Sequence, residues 1–427
     1  MLENSVALGN QAQGFFIKND RFKTTYISYN FYLPLDKNSV ASFALLPFIL
    51  TTCSKDYPDF SRLNFKLNKL YSASLSASAE KVGDYQLLKV AISVIDDKYA
   101  LDGENLVNKA VELLNHLIFE PRVENCAFFN SDVEREKRKA IEHIRGEMAE
   151  KRIYARRRLV EEMYKNDVYG ISKCGTVEQI EKVTPEGLYA AWRDLIESAT
   201  IVVNVISKTL PLNTFDNIKS YLSAFDRSSA KSVLDSKPTR SICAARRVEE
   251  HLDISQGKLV MGFSVDKADD KNNAALTVMC DIFGGGPYSR LFSNVREKMS
   301  LCYYCSATIE KRKGLLIVDS GVEASNAKRA EAEILRQLEV IKSGSFSDFE
   351  FESSKKAIIN LLNGYGDHQE AIDAWYTIKS SSNIQISPED FVLAVARVDK
   401  QAVTNAAKSV KLHTVYNLSP NVSEEGE

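Results

Sequence analysis

Residues 14–34 (GFFIKNDRFKTTYISYNFYLP) alternate apolar and polar positions on either side of Asn19-Asp20, which predicts two strands. The period then changes. Asp36 to Ser39 carry helix-start chemistry, and VASFALLPFILTTCS is apolar all round, which predicts a helix buried on every side. Phe60, Leu63, Leu67 and Leu70 mark a second helix, and LYSASLSASAEK and YQLLKVAISVI return to strand patterning. GENLVNKAVELLNHLIFEP is an amphipathic helix stopped at Pro121, and the charged stretch from Asn130 to Lys165 reads as one continuous helical pattern. Thr184-Pro185 opens another helix, and TIVVNVIS (Thr200–Ser207) is a core strand.

Beyond a linker-like stretch, DRSSAKSVLDSKPTRS, the same order begins again. RRVEEHLDISQGKLVMGFSV is strand material and NAALTVMCDIF an apolar helix. LCYYCSATIEKRKGLLIVDSGV is a strand pair, NAKRAEAEILRQLEVIK an amphipathic helix, and LHTVYNLS a closing strand. LYSASLSASAEK is echoed by LCYYCSATIEK, FNSDVEREKRKAIEHI by FSDFEFESSKKAIINLL, and IVVNVIS by TVYNLS, at offsets of about 215–230 residues. The expectation is an α+β protein of two similar domains, 1–225 and 245–427, joined by a linker at 226–244. Each would be a mainly antiparallel sheet with helices packed on one side.

Composition narrows the function classes. A net charge of −2 gives no general pull toward nucleic acid or anionic membrane. No apolar run reaches membrane-spanning length. The seven scattered cysteines suit a reducing cytoplasm, and MLENSVALGNQ does not read as a signal peptide. Cys302 and Cys305 form a C-x-x-C, but strand alternation should turn residues three apart to opposite faces, which argues against a shared role. SPNVSEEGE ends the chain as a short acidic tail.

The segment Asp281–Ala307, DIFGGGPYSRLFSNVREKMSLCYYCSA, carries the most specific signal. Three glycines, Gly284, Gly285 and Gly286, close an apolar helix, and Leu291, Phe292, Val295 and Met299 form one apolar stripe on the next. The wording GGGPYSRLF…VREKMSLCY resembles the C-terminal half of M16 peptidases, the pitrilysin/insulinase family, and especially its M16B branch. With the internal repeat, the resemblance extends over nearly the whole chain. It implies that Arg296 and Tyr303, seven residues apart, touch a peptide substrate, and that Gly284–Gly286 shape the wall beside it. Arg296 would hold the substrate backbone, and Tyr303 would donate its phenol O–H to the oxyanion at the scissile carbonyl.

The same family carries an inverted zinc motif, H-x-x-E-H, on the first long helix of its N-terminal half. Here that position holds Leu45-Leu46-Pro47-Phe48-Ile49, and Leu45, Phe48 and Ile49 can neither bind zinc nor act as a base. The five histidines, His116, His143, His251, His368 and His413, form no substitute motif. Glu134 and Glu136, near the place of the family's third ligand, read as solvated. No cofactor is therefore expected in this chain, with zinc expected in a partner. The resemblance implies a zinc-less subunit of a heterodimeric or self-paired M16B peptidase, acting on peptides with a zinc-bearing homologue. The alternative is a catalytically inactive structural or substrate-binding subunit of the kind found among respiratory-complex core proteins. LLPFIL and KRIYARRRLVEEMYKNDVYG…GTVEQIEKVTPEGLY further resemble zinc-less bacterial subunits associated with 5-aminopentanol modification of elongation factor P.

Overall fold

The computed structural model describes residues 2–421 apart from 102, 234–235, 241, 243, 267–269 and 381–385. Parts of the expected linker, and residues 422–427 of the acidic tail, lie outside them; the tail's first two residues, Ser419 and Pro420, end the last strand instead. The first stretch runs β1 Leu2–Gly9, β2 Ala12–Lys18, β3 Thr24–Pro34, α1 Val40–Leu50, α2 Phe60–Lys69, β4 Ser74–Val82 and β5 Tyr85–Ile95. It continues with α3 Leu106–Phe119, β6 Val123–Glu124, β7 Ala127–Phe128, α4 Asn130–Ala149, α5 Lys151–Met163, α6 Val177–Glu181, α7 Pro185–Ser198, β8 Thr200–Ser207 and α8 Thr214–Leu222. The second stretch has β9 Arg246–Leu252, β10 Gly257–Ser264, α9 Asp270–Gly284, a π-wound helix Leu291–Lys298, β11 Cys302–Glu310 and β12 Leu315–Val322. It closes with α10 Ala327–Lys342, α11 Asp348–Tyr365, α12 Gln369–Ser380, α13 Pro388–Ala396, α14 Lys400–Lys408 and β13 Lys411–Pro420.

Two sheets carry the repeat. The first has the order β1-β2-β8-β3-β5-β4, with β2 parallel to β8 and the other pairs antiparallel. The second has β11-β12-β10-β13-β9, with β13 parallel to β9. Read backwards, the second order matches the first strand for strand once β1 is set aside, and the one parallel pair falls at the same place. The strands expected on either side of Asn19-Asp20 exist, but they are not a hairpin. β8 lies between them because TIVVNVIS is apolar along both faces and takes a central, doubly covered place.

The compact units are not the contiguous stretches 1–225 and 245–427. One gathers Met1–Arg145, Ile171–Asp235 and Tyr365–Ser387; the other gathers Gly146–Gly170, Ser236–Gly364 and Pro388–Glu427. The helical pattern expected to run from Asn130 to Lys165 breaks at Glu150, whose backbone is extended and whose carboxylate accepts the Arg152 N–H at 3.0 Å. Beyond the break, α5 packs on the second sheet, setting Ala155, Leu159 and Met163 against Val260, Tyr416 and Leu418. Gly262 makes the seat, since a Cβ there would come within 2.8 Å of the Met163 sulfur. After α11, α12 packs Ile372 and Tyr376 on Ile17, Tyr26, Ala91 and Ile206 of the first sheet. The opposite face of the first sheet, with Ile27, Tyr29, Phe31 and Val203, belongs to the large core it shares with α1, α3 and α7. Each sheet thus has helices of its own stretch on one face and an exchanged helix on the other.

Candidate functional site

α1 answers the question of the zinc motif. It is apolar but for Ser42, and Leu45, Leu46 and Ile49 are all at most 1% exposed, packed in the core of the first unit. Phe48 reaches the surface at 40% exposure. None of these side chains offers a lone pair to a metal, so zinc does not fit this position.

Of the two carboxylates near the expected third ligand, only one is solvated as the sequence suggested. Glu134 is exposed and pairs with Lys137 at 2.8 Å. Glu136 is buried and accepts from Arg135 Nε at 2.9 Å and Lys139 Nζ at 3.0 Å. One turn earlier, buried Asp132 accepts from Arg135 at 2.8 Å and Arg122 at 3.3 Å, and takes the Cys53 thiol at 3.5 Å. Burial beside Asp132 pushes the Cys53 thiol up to about 12. Buried carboxylates need compensating charge, and arginine and lysine supply it here. Elsewhere in this unit Asp56, His116 and Glu120 bring one ligand atom each to within 4.8 Å of one another. The His116 Nδ1–Asp56 contact at 3.1 Å accounts for much of that cluster.

In the second unit the structure brings Arg296 and Tyr303 to one open cavity of about 390 Å³, with Glu297, Ser300, Leu301, Cys302, Glu323 and Asn326. The helix that carries Arg296 is wound with wider turns, shown by the Met299 N–H bonding the Asn294 carbonyl at 3.1 Å. That winding keeps Leu291 and Val295 buried but turns Met299 out to the surface, so the expected apolar stripe loses its last member. Arg296 lies over the Phe292 ring at 4.6 Å, with its Nε 3.6 Å from Glu297. Ser300 takes a left-handed backbone, φ 49°, and turns the chain into β11. Tyr303 is 58% exposed and donates its phenol O–H to Glu323 at 3.3 Å. Glu323, brought in from the end of β12, carries no sequence signal because its only link to the pair is spatial.

The glycines do not line this cavity. Gly284 ends α9 where a Cβ would lie 2.5 Å from the Ala307 nitrogen, so it lets the helix press against β11. A Cβ on Gly285 would strike the Asp281 carboxylate, which also accepts the Tyr288 O–H at 2.8 Å.

β11 contains a bulge. Cys302 pairs with Val322 and Tyr304 with Gly321, leaving Tyr303 as the extra residue. The alternation argument for Cys302 and Cys305 therefore fails. With one residue squeezed out, Cys302 and Cys305 are both buried and fall on the same face of the strand. Tyr304, on the opposite face, lies over Gly321, where a Cβ would meet its ring at 2.5 Å.

Comparison with known proteins settles the family. Over 403 residues, 94% of each chain, the sequence is 30% identical to "Probable inactive metalloprotease YmfF" of Bacillus subtilis (strain 168). The chain belongs to the M16 peptidase family. Residues 182–358 match the family's profile for the Peptidase M16 inactive domain. A conserved protein of Enterococcus faecalis V583 has the same fold, with TM-score 0.91, 23% identity and 99% of both chains covered. A peptidase M16 inactive domain from Pseudomonas fluorescens superposes with TM-score 0.79 at 17% identity, also over 99% of both chains. With its motif positions filled by leucine, phenylalanine and isoleucine, this M16 chain is catalytically inactive alone.

Proposed function

We propose that this chain is the zinc-less subunit of an M16B-type metallopeptidase and lends Arg296 and Tyr303 to a site completed by a zinc-bearing homologue. The observation that carries the reading is the contrast between an α1 with no ligand and an Arg296/Tyr303 pair that still shares one open, polar cavity. Nothing in the core requires either side chain. Tyr303 spends its O–H on an exposed carboxylate at 3.3 Å, a weak bond that a developing oxyanion can displace. Arg296 has its guanidinium half-exposed on Phe292, preformed for a backbone carbonyl of an extended peptide. Zinc in the partner would supply the activated water. Peptides are the substrate class, and the reading places the chain in the cytoplasm. A role linked to elongation factor P modification is one context for such a complex.

The test begins with a tagged pull-down from the native cells to recover an M16 homologue bearing H-x-x-E-H at about one to one. Peptide turnover by the complex is then compared for wild type, Arg296→Ala and Tyr303→Phe. Loss of one oxyanion donor should lower kcat by about 10²–10³-fold, with assembly unchanged by size-exclusion chromatography. Unchanged turnover in both variants would rule out a contribution in trans and leave a structural subunit.

A further inference from the structure

The C-x-x-C of β11 becomes a chemical site only because of the bulge at Tyr303. Cys302 and Cys305 share the face of the strand that α9 covers, as neighbours along it with Tyr303 bulged out between them. Both are buried, but they differ in what they border. Cys302 lines the cavity of Arg296 and Tyr303, whereas Cys305 is buried and does not. We infer that Cys302 and Cys305 form a peroxide-reactive dithiol, in which Cys302 meets the oxidant through the cavity and Cys305 resolves the product.

The surroundings suit those roles. The neighbouring Cys305 thiol and the nearby Arg296 guanidinium hold the Cys302 thiol below its ordinary range despite burial, which favours the nucleophilic thiolate. The Cys302 sulfur beside it, with burial, holds Cys305 well above it, so the resolving thiol keeps its proton until needed. Among the described residues, the other buried thiols lack this arrangement: burial pushes both Cys53 and Cys280 up to about 12.

The chemistry balances with hydrogen peroxide as the oxidant. The Cys302 thiolate attacks one peroxide oxygen; an S–O bond forms, the O–O bond breaks, and hydroxide leaves. Sulfur is oxidised to sulfenic acid as peroxide is reduced. Cys305 then attacks the Cys302 sulfur, forming S–S and breaking S–O. The departing hydroxide takes the Cys305 proton and leaves as water. Closing the bond draws the strand in around Tyr303, the bulged residue between the sulfurs. The consequence for peptide binding rests on the function proposed above; the thiol chemistry does not.

The experiment uses the full chain and needs no peptidase activity. The protein is treated with limiting hydrogen peroxide, alkylated and digested with trypsin, which releases residues 299–311 (MSLCYYCSATIEK) with both sulfurs and no other cysteine. The expected result is a fragment two hydrogens lighter and resistant to alkylation, formed before exposed Cys126 is oxidised. In Cys305→Ala, dimedone should label Cys302. In Cys302→Ala, Cys305 should stay reduced. Oxidation of Cys126 with the 299–311 fragment unchanged would overturn the inference, as would a Cys305→Ala protein that dimedone does not label. Should either variant fail to fold, the wild-type fragment masses decide alone.

Discussion

The two exchanged helices are held to their sheets by the same device with the charges reversed. Counted from the hairpin turn, Lys89 of β5 and Asp319 of β12 each sit in the fifth cross-strand pair, and each faces a serine, Ser78 and Ser306. On the first sheet, Lys89 pairs with Asp373 of α12, whose carboxylate also accepts from Ser28 at 2.5 Å and Asn204 at 2.8 Å. On the second, Asp319 receives Arg152 and Arg156 of α5 and the Ser306 hydroxyl at 2.7 Å. Both aspartates are wholly buried. The reversal matters because the two sheets are otherwise near copies. If α5 docked on the sheet of its own stretch, two arginines would face Lys89, and α12 on its own would bring Asp373 to Asp319. Repulsion between desolvated like charges makes each helix specific for the other sheet.

Truncating the fully enclosed partner should have the largest effect. Lys89 keeps only 16% of its side chain exposed, so Asp373→Ala strands an ammonium and the hydroxyl and amide donors of Ser28, Asn204 and Thr377, and should cost about 3–5 kcal/mol. The readout is built in, because both tryptophans, Trp192 and Trp375, belong to the first unit and Trp375 lies on α12 itself. Urea unfolding followed by tryptophan fluorescence should shift strongly. Lys89→Asp combined with Asp373→Lys should recover part of the loss, and a double variant no better than either single one would refute a charge-specific lock.

Asp319→Ala should cost less, about 1–3 kcal/mol, since Arg152 and Arg156 are 44% and 31% exposed and can turn to water. Circular dichroism should register the loss more than tryptophan fluorescence does. Equal costs for Asp373→Ala and Asp319→Ala would erase the proposed difference between the two seats.

These seats show what could and could not be read from the chain. The repeat was legible because period-two and helical patterns recur in one order, and the strand order bears it out. The exchange was not, because α4 and α5 continue one helical pattern and Glu150 is itself a good helix former. Nor was β8 between β2 and β3, since which strands pair is decided by non-local contacts. At the candidate site, Arg296 and Tyr303 could be named from wording, while the shared face of Cys302 and Cys305 depends on one bulged residue that shifts strand parity. Nothing local in the sequence marks Asp319 or Asp373, because their burial and charged partners come from elements distant along the chain.

The smallest expected effect concerns the second anchor of α5. Glu250 of β9 accepts from Tyr154, from Arg158 at 3.1 Å and from Tyr416 at 2.7 Å. Burial raises its carboxyl, but those three donors outweigh burial and hold it below the usual range. A carboxyl depressed in the folded state contributes stability above its unfolded value, about 4.3, and that contribution is lost as pH falls through the lower folded value. Glu250→Gln should therefore lower stability at pH 7 by about 1 kcal/mol or less, the scale of a partly exposed ion pair. It should also flatten the acid side of the stability curve, so that wild type and variant converge toward pH 3. A constant gap from pH 7 to pH 3 would mean that Glu250 holds α5 by shape and neutral hydrogen bonds, leaving Asp319 as the charge that distinguishes this seat from that of α12.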